Sequence, residues 1–133
     1  MELMAPVSPG ELLDKLTILE IKKERIVDPD KRVNVIREFE VLNQLWQNTS
    51  PEPERLVQLG LDAMREELKS INESLWTIED DIRDCESNQD FGQKFIELAR
   101  AVYQTNDRRA AVKKQINLAL GSDLVEEKSY TDY

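Results

Sequence analysis

A chain of 133 residues with 34 % charged residues, four glycines and five prolines has the size of one domain and the composition of long, polar-faced helices. The single cysteine, Cys85, excludes an intramolecular disulfide, and the absence of histidine excludes the common zinc, haem and Ser-His-Asp sites. The net charge of −9 would repel a phosphate backbone, so we expect no nucleic-acid partner. Because the chain has neither a signal-peptide pattern nor an apolar run of about 18 residues, we also expect a cytoplasmic protein that does not enter a membrane.

Two short helices are predicted at the start of the chain. The stretch S-P-G-E at residues 8–11 is a capping box with proline at the first helical position, which starts a helix. Asp28 followed by Pro29 is a second start signal, after which apolar residues recur at helical spacing. We therefore predict helices over residues 9–26 and 29–47.

The second half of the chain has the strongest periodic signal. We predict a third helix over residues 51–86. Its apolar side chains from Leu61 to Cys85 alternate at steps of three and four, which is the heptad seam of a coiled coil. A capping-box-like start at Asp90 and a stop at Gly121 bound a fourth helix over residues 91–120. The remaining tail, residues 121–133, is predicted either to pack along the first helix or to fray.

These elements predict a single all-α domain over residues 1–133. Its expected form is an antiparallel four-helix bundle made of a short and a long helical hairpin, with an extended C-terminal tail. At 1.5 Å per residue the long helices would each measure about 45 Å and the short ones about 25 Å, so the long hairpin overhangs. Because a bare heptad seam is an aggregation hazard, we predict a homo-oligomer, with a dimer favoured. A monomeric bundle with polar far ends is the alternative.

Charged residues interrupt the apolar faces and predict a polar layer inside the bundle. Glu20 and Lys23 fall within the apolar stripe of the first helix, and the inward positions of the fourth helix between Val102 and Ile116 are polar. The predicted layer consists of Glu20, Lys23, Glu67, Asn106, Arg109 and Lys113. Within it, Glu67 of the third helix is expected near Arg109 of the fourth helix. It is either a set of ion pairs that fixes helix register or a pocket whose cations hold a carboxylate or a phosphate.

These two interpretations predict different functions. A layer of satisfied ion pairs favours a small helical binding or assembly module. A pocket favours an all-α enzyme that acts on a small anionic metabolite, a carboxylate or a phosphate. Without histidine, such an enzyme must use carboxylates, lysine, arginine or tyrosine. The sequence does not decide between them.

A weaker candidate is a metal site on the acidic part of the third helix. Glu73, Asp80 and Asp84 share one outer face at helical spacing and could collect Mg²⁺ through water. Charged residues on helix surfaces usually do nothing measurable, so a solvated face is the favoured interpretation. No other cofactor is predicted.

The two ends of the chain resemble a known family. Residues 6–22, PVSPGELLDKLTILEIK, and residues 126–133, EEKSYTDY, are similar to the ends of short uncharacterised proteins from bacteria and cyanophages. The resemblance covers essentially the whole chain and implies no activity, but relatives beside or fused to glycosyltransferase and surface-polysaccharide genes imply a role near nucleotide-sugar metabolism. The positions that carry it are Pro6, Gly10, Glu11, Asp14, Lys15, Glu20, Lys22, Lys128 and Tyr130. If the tail docks on the first helix, Lys128 and Tyr130 would complete a site with Asp14 or Glu20.

Overall fold

The computed structural model describes all 133 residues and contains helices but no strands. Its elements are α1 (Pro9–Arg25), α2 (Pro29–Thr49), α3 (Pro53–Leu59), α4 (Leu61–Ser87) and α5 (Gln93–Ala119). The predicted all-α class is confirmed. None of the helices combines the length and the apolar character that a membrane span requires.

The first two helices start where their capping residues lie. Ser8 Oγ accepts a hydrogen bond from the Glu11 backbone N–H at 3.1 Å. Asp28 Oδ1 accepts from the backbone N–H groups of the second and third residues that follow it, at 2.9 and 3.3 Å. Proline stands at the first position of both helices, where its missing N–H leaves no hydrogen bond unmade.

The predicted third helix over residues 51–86 is wrong in one respect, because the structure has two helices there. Gly60 adopts a left-handed conformation with φ of +69°, ends α3 and precedes α4. Only glycine takes this conformation at little cost, so the chain turns at this residue. The heptad pattern did not reveal the break because its regular part begins at Leu61, which is the first residue of α4.

Helix α1 lies at the centre of the fold. Eight of its 17 residues are buried, whereas α2 buries only Val35 among 21 residues. It packs against α2, α4 and α5, and α4 and α5 also pack against each other. The apolar core that joins these helices consists of Leu12, Leu13, Leu16, Leu61, Leu68, Ile71, Val112 and Ile116.

Helix α1 approaches α5 closely at Gly10. The Gly10 backbone N–H donates to Asn117 Oδ1 at 2.7 Å. A Cβ atom added at Gly10 would lie 2.5 Å from the Lys113 carbonyl oxygen and 2.9 Å from Asn117 Oδ1. The absence of a side chain at this position therefore sets the distance between the two helices.

The C-terminal tail lies along α5 and not along α1, which corrects one of the two predicted placements. Glu126 pairs with Lys113, and the more exposed Glu127 lies 3.6 Å from Lys114. At the end of the chain, the Tyr133 hydroxyl donates to Asp107 at 2.5 Å. Its ring packs edge-on against the ring of Tyr103, with 5.2 Å between the centroids. The tail is thus docked through polar contacts spread along one helix.

Gly10→Ala tests whether this close approach limits the stability of the fold. The added methyl group would collide with backbone, which cannot move as a flexible side chain can, so we expect the free energy of unfolding to fall by about 1–3 kcal/mol in urea denaturation. Gly92→Ala is the matched control, since its added Cβ would meet only an Asp90 oxygen at 3.4 Å. Equal stability of the two variants would contradict the tight contact.

Candidate functional site

A buried carboxylate lies at the centre of the polar interior. Asp14 of α1 is fully buried, and its two oxygens accept hydrogen bonds from Arg109 of α5. Arg109 Nε lies 2.9 Å from Asp14 Oδ1, and Nη2 donates to Oδ2, so the contact is a two-bond fork. The hydrogen bond to Asp14 raises the pKa of Arg109 above its ordinary value. Arg109 therefore keeps its charge beside this carboxylate.

Two further side chains complete the shell around this carboxylate. Asn72 Nδ2 donates to Asp14 Oδ1 at 2.9 Å and to Thr17 Oγ1 at 3.0 Å. The Thr17 hydroxyl in turn donates to the Asp14 carbonyl oxygen at 2.8 Å. No buried side-chain nitrogen or oxygen in the structure lacks a partner. Such a fully satisfied network holds Arg109 in one orientation.

One turn away on α5, Lys113 forms a second ionic contact. Its Nζ donates to Glu11 at 2.7 Å and to Glu126 of the tail at 2.9 Å. Burial alone would lower the pKa of Lys113, but the hydrogen bonds to the two carboxylates raise it above the ordinary lysine value. The hydrogen bond from Lys113 also lowers the pKa of Glu126. Lys113 of α5 therefore links the tail on one side with the start of α1 on the other.

A cleft of about 500 Å³ opens beside the Asp14–Arg109 pair, and we call it the central cleft. It lies between α1, α4 and α5 and is lined by Ile18, Ile21, Lys22, Asn72, Leu75, Trp76, Glu79, Asp80, Arg83, Asn106 and Arg109. Its volume is typical of a small-molecule site, for which about 300–1,000 Å³ is usual. Four of its eleven lining residues are hydrophobic, and the other seven are polar or charged.

Arg109 presents free hydrogen-bond donors to this cleft. A guanidinium has five N–H donors, and Asp14 occupies one on Nε and one on Nη2. Only the Asn106 side-chain oxygen, 3.4 Å from Nη1, approaches the remaining edge. That edge has the planar fork that matches a carboxylate or a phosphate.

Three of the five charged residues that line the cleft lie on α4. Glu79 and Arg83 pair with each other, whereas Lys22 and Asp80 make no ion pair or side-chain hydrogen bond. Asp80 lies two turns beyond Asn72 on α4, about 12 Å along the helix axis at 1.5 Å per residue. The cleft therefore has a donor-rich end at Arg109 and an acceptor at its other end.

Three members of the predicted polar layer lie outside this site. Glu20 pairs with Arg65 at 2.6 Å, and Lys23 lies 4.0 Å above the ring of Phe39. Glu67, predicted to meet Arg109, is exposed and makes no ion pair. The physical reason is the position of α1, which supplies the carboxylates for the cations of α5. The other three members, Asn106, Arg109 and Lys113, lie together on α5 at or beside the central cleft.

The residues singled out by the family resemblance do not lie together in the structure. Glu11 and Asp14 contact Lys113 and Arg109, whereas Lys15 is exposed and lies 3.8 Å from Glu38. Lys128 and Tyr130 line an open groove between the tail and α5, where the ammonium lies 5.9 Å from the ring centroid. They therefore do not form the predicted site with Asp14 or Glu20.

The three metal candidates are also separated from one another. Glu73 lies 3.8 Å from Arg25, Asp80 lines the central cleft, and Asp84 is exposed. No group of three or more acidic or cysteine side chains in the structure could hold a metal ion. The three residues follow one another along a helix face, but their carboxylates do not converge on one point.

Sequence reasoning did not identify several residues of the site. Asn72 and Thr17 occupy inward positions that resemble ordinary polar interruptions of a helix, so no pattern marks them. Trp76 stands one residue after Leu75 of the heptad seam and was not assigned to a pocket. Lys22 was noticed only through the resemblance, because an isolated lysine near a helix end usually interacts with the helix dipole.

The buried pair can be tested by a mutational cycle. Asp14→Asn leaves Arg109 without its counter-charge, so we expect the free energy of unfolding to fall by about 3 kcal/mol. The coupling between Asp14 and Arg109 should be about 0.5–3 kcal/mol, and that between Glu67 and Arg109 near zero. Lys15→Ala is the control, since its exposed contact should contribute less than about 1 kcal/mol. Coupling to Glu67 as strong as to Asp14 would contradict the observed partner.

The docking of the tail should depend on pH. Because the pKa of Glu126 is lowered in the folded protein, its contribution is fully present above its ordinary value of 4.5 and is lost as the pH falls through the lowered pKa. Amide signals of residues 121–133, followed by NMR, should therefore report release of the tail in acid. Glu126→Gln should loosen the tail around this residue already at neutral pH, while Asp123→Asn should not. Tail signals unchanged in Glu126→Gln would rule out this contact as the fastening.

Comparisons with curated proteins and with solved structures find no match. A family model, by contrast, matches nearly the whole chain, from residue 3 to residue 133. The matched region contains α1, Asn72, the cations of α5 and the tail, so the central cleft lies within it. The chain belongs to the family of unknown function DUF6165.

Proposed function

We propose that the protein is a small helical binding module whose central cleft holds a small anion. The observation that supports this most directly is the state of Arg109. Its inner edge is held by the buried Asp14, and its outer edge opens on the cleft. A guanidinium oriented in advance loses little entropy when it binds, and its fork suits a carboxylate or a phosphate.

Lys22 supplies the positive charge that the ligand would meet. Asp14 already compensates the charge of Arg109, and Glu79 compensates that of Arg83. Lys22 has no such partner although it lines the same cleft. Asn72 and Asn106 add amide groups to the wall, so a bound anion would find both charge and neutral hydrogen-bond partners.

The same cleft also suits the alternative of an enzyme that acts on a small anionic metabolite. The unpaired carboxylate of Asp80 lies in the wall that would face the ligand and could accept or donate a proton. The setting of either activity near nucleotide-sugar or surface-polysaccharide metabolism is proposed from the resemblance alone. Recovery of the ligand unchanged after incubation separates a binding module from an enzyme.

The proposal includes the antiparallel four-helix arrangement and the dimer. The short connections at residues 26–28 and 88–92 support two antiparallel hairpins, because helices joined by short loops pack as antiparallel neighbours. The exposed apolar side chains of α2 support contact with a second copy, and they are Val33, Val41 and Leu45. This face leaves the central cleft free, because none of these three side chains lines it.

Lys22→Ala tests the anion site without removing an ion pair of the fold. We expect inorganic phosphate or succinate to bind the wild-type protein and to bind this variant at least about tenfold more weakly, because a hydrogen bond to a charged group contributes about 1.5–3 kcal/mol. Binding should also weaken as salt is added. Isothermal titration calorimetry measures both effects, and sedimentation of the same samples measures the dimer.

Lys31→Ala is the matched control for this experiment. Lys31 is exposed, makes no ion pair and does not line the cleft, so its removal changes the net charge equally. It should leave the dissociation constant unchanged. Equal losses in the two variants would reduce the effect to net charge, and the absence of any binding by the wild type would overturn the proposal.

A further inference from the structure

The central cleft is larger and less polar than an anion alone requires. Its volume of about 500 Å³ is that of a site for a small organic molecule. Four hydrophobic side chains line it, Ile18, Ile21, Leu75 and Trp76. A small ion held at Arg109 would leave these apolar side chains in contact with water. A ligand that fills the cleft therefore needs an apolar part as well as an anionic group.

Trp76 indicates which kind of apolar group on the ligand would fit the cleft. It stands one turn after Asn72 on α4, so the indole lies about 6 Å along the helix axis from the anion-binding end. Outside the cleft, the guanidinium of Arg25 lies 5.8 Å from the ring centroid and is itself 3.8 Å from Glu73. Trp76 thus contacts a cation outside the cleft and also lines the cleft, where its ring can serve as a stacking platform.

Asp80 marks the far end of the same ligand. It stands one turn after Trp76 and makes no ion pair or side-chain hydrogen bond, so its carboxylate can accept hydrogen bonds from a ligand. Donor-rich groups, an aromatic ring and an acceptor therefore follow one another along α4. The order fits a molecule with an anionic group, a flat ring and hydroxyl or amino groups.

We propose that the ligand of the central cleft is an anion that carries an aromatic ring and hydrogen-bond donors. This inference rests on the proposed anion site of the cleft, which Arg109 and Lys22 both line. A nucleoside phosphate and an aromatic carboxylate share this chemistry. Stacking of a flat ring on an aromatic side chain is strong enough to change the affinity about tenfold.

The experiment uses the full chain with Trp46→Phe, which leaves Trp76 as the only tryptophan of the two. The probes are adenosine 5′-monophosphate, indole-3-acetate, inorganic phosphate and adenosine. We expect one of the two ring-bearing anions to bind about tenfold more tightly than phosphate and the nucleotide to change the fluorescence of Trp76. Whichever of the two binds more tightly assigns the anionic group to a phosphate or to a carboxylate. Adenosine, which lacks the anion, should bind more weakly than the nucleotide.

A second variant keeps the test open if the fluorescence is silent. Trp76→Leu should abolish the advantage of the ring-bearing anion while the dissociation constant of phosphate stays the same, with circular dichroism showing that the helices remain. Equal affinity of all three anions would overturn this inference and leave the anion site standing. Failure of every probe, phosphate included, would overturn both.

Discussion

The structure depends on the burial of one carboxylate, that of Asp14, in the middle of its central helix. A buried charge is tolerated only where it is paired and hydrogen-bonded, so Asp14 requires partners from other parts of the chain. Arg109 of α5 and Asn72 of α4 meet that requirement. This contact therefore joins three helices, and it also orients the guanidinium on which the proposed binding site is built.

The sequence predicted the helices well where local chemistry decides them. Capping at Ser8 and Asp28 and the apolar spacing after Leu61 involve residues a few positions apart, and such contacts form wherever the segment lies. The division at Gly60 was missed because one glycine near a helix start is compatible with either a continuous helix or a turn. The central position of α1 was not predicted either, since its many charged residues resemble those of a surface helix.

The candidate site was predicted only in part. Features that depend on one helix were predicted, and contacts between residues far apart in the sequence were not. Arg109 and Lys113 were assigned inward because they interrupt an apolar stripe of their own helix. Glu67 was predicted to lie near Arg109 across the long hairpin, and α1 was predicted to contribute Glu20 and Lys23 to the layer. In the structure α1 contributes Asp14 and Glu11 instead. Contacts across 95 and 102 positions cannot be deduced from spacing within one helix.

The contact between the first and the last helix has a consequence for synthesis of the chain. Asp14 emerges from the ribosome early, but Arg109 follows 95 positions later, which at about 5–20 residues per second is a delay of about 5–20 s. During that time α1 has its buried face without its final partners. The nascent chain must keep α1 in solution although one face of this helix is largely apolar. The carboxylates that interrupt its apolar face keep it hydrated until α5 has been synthesised.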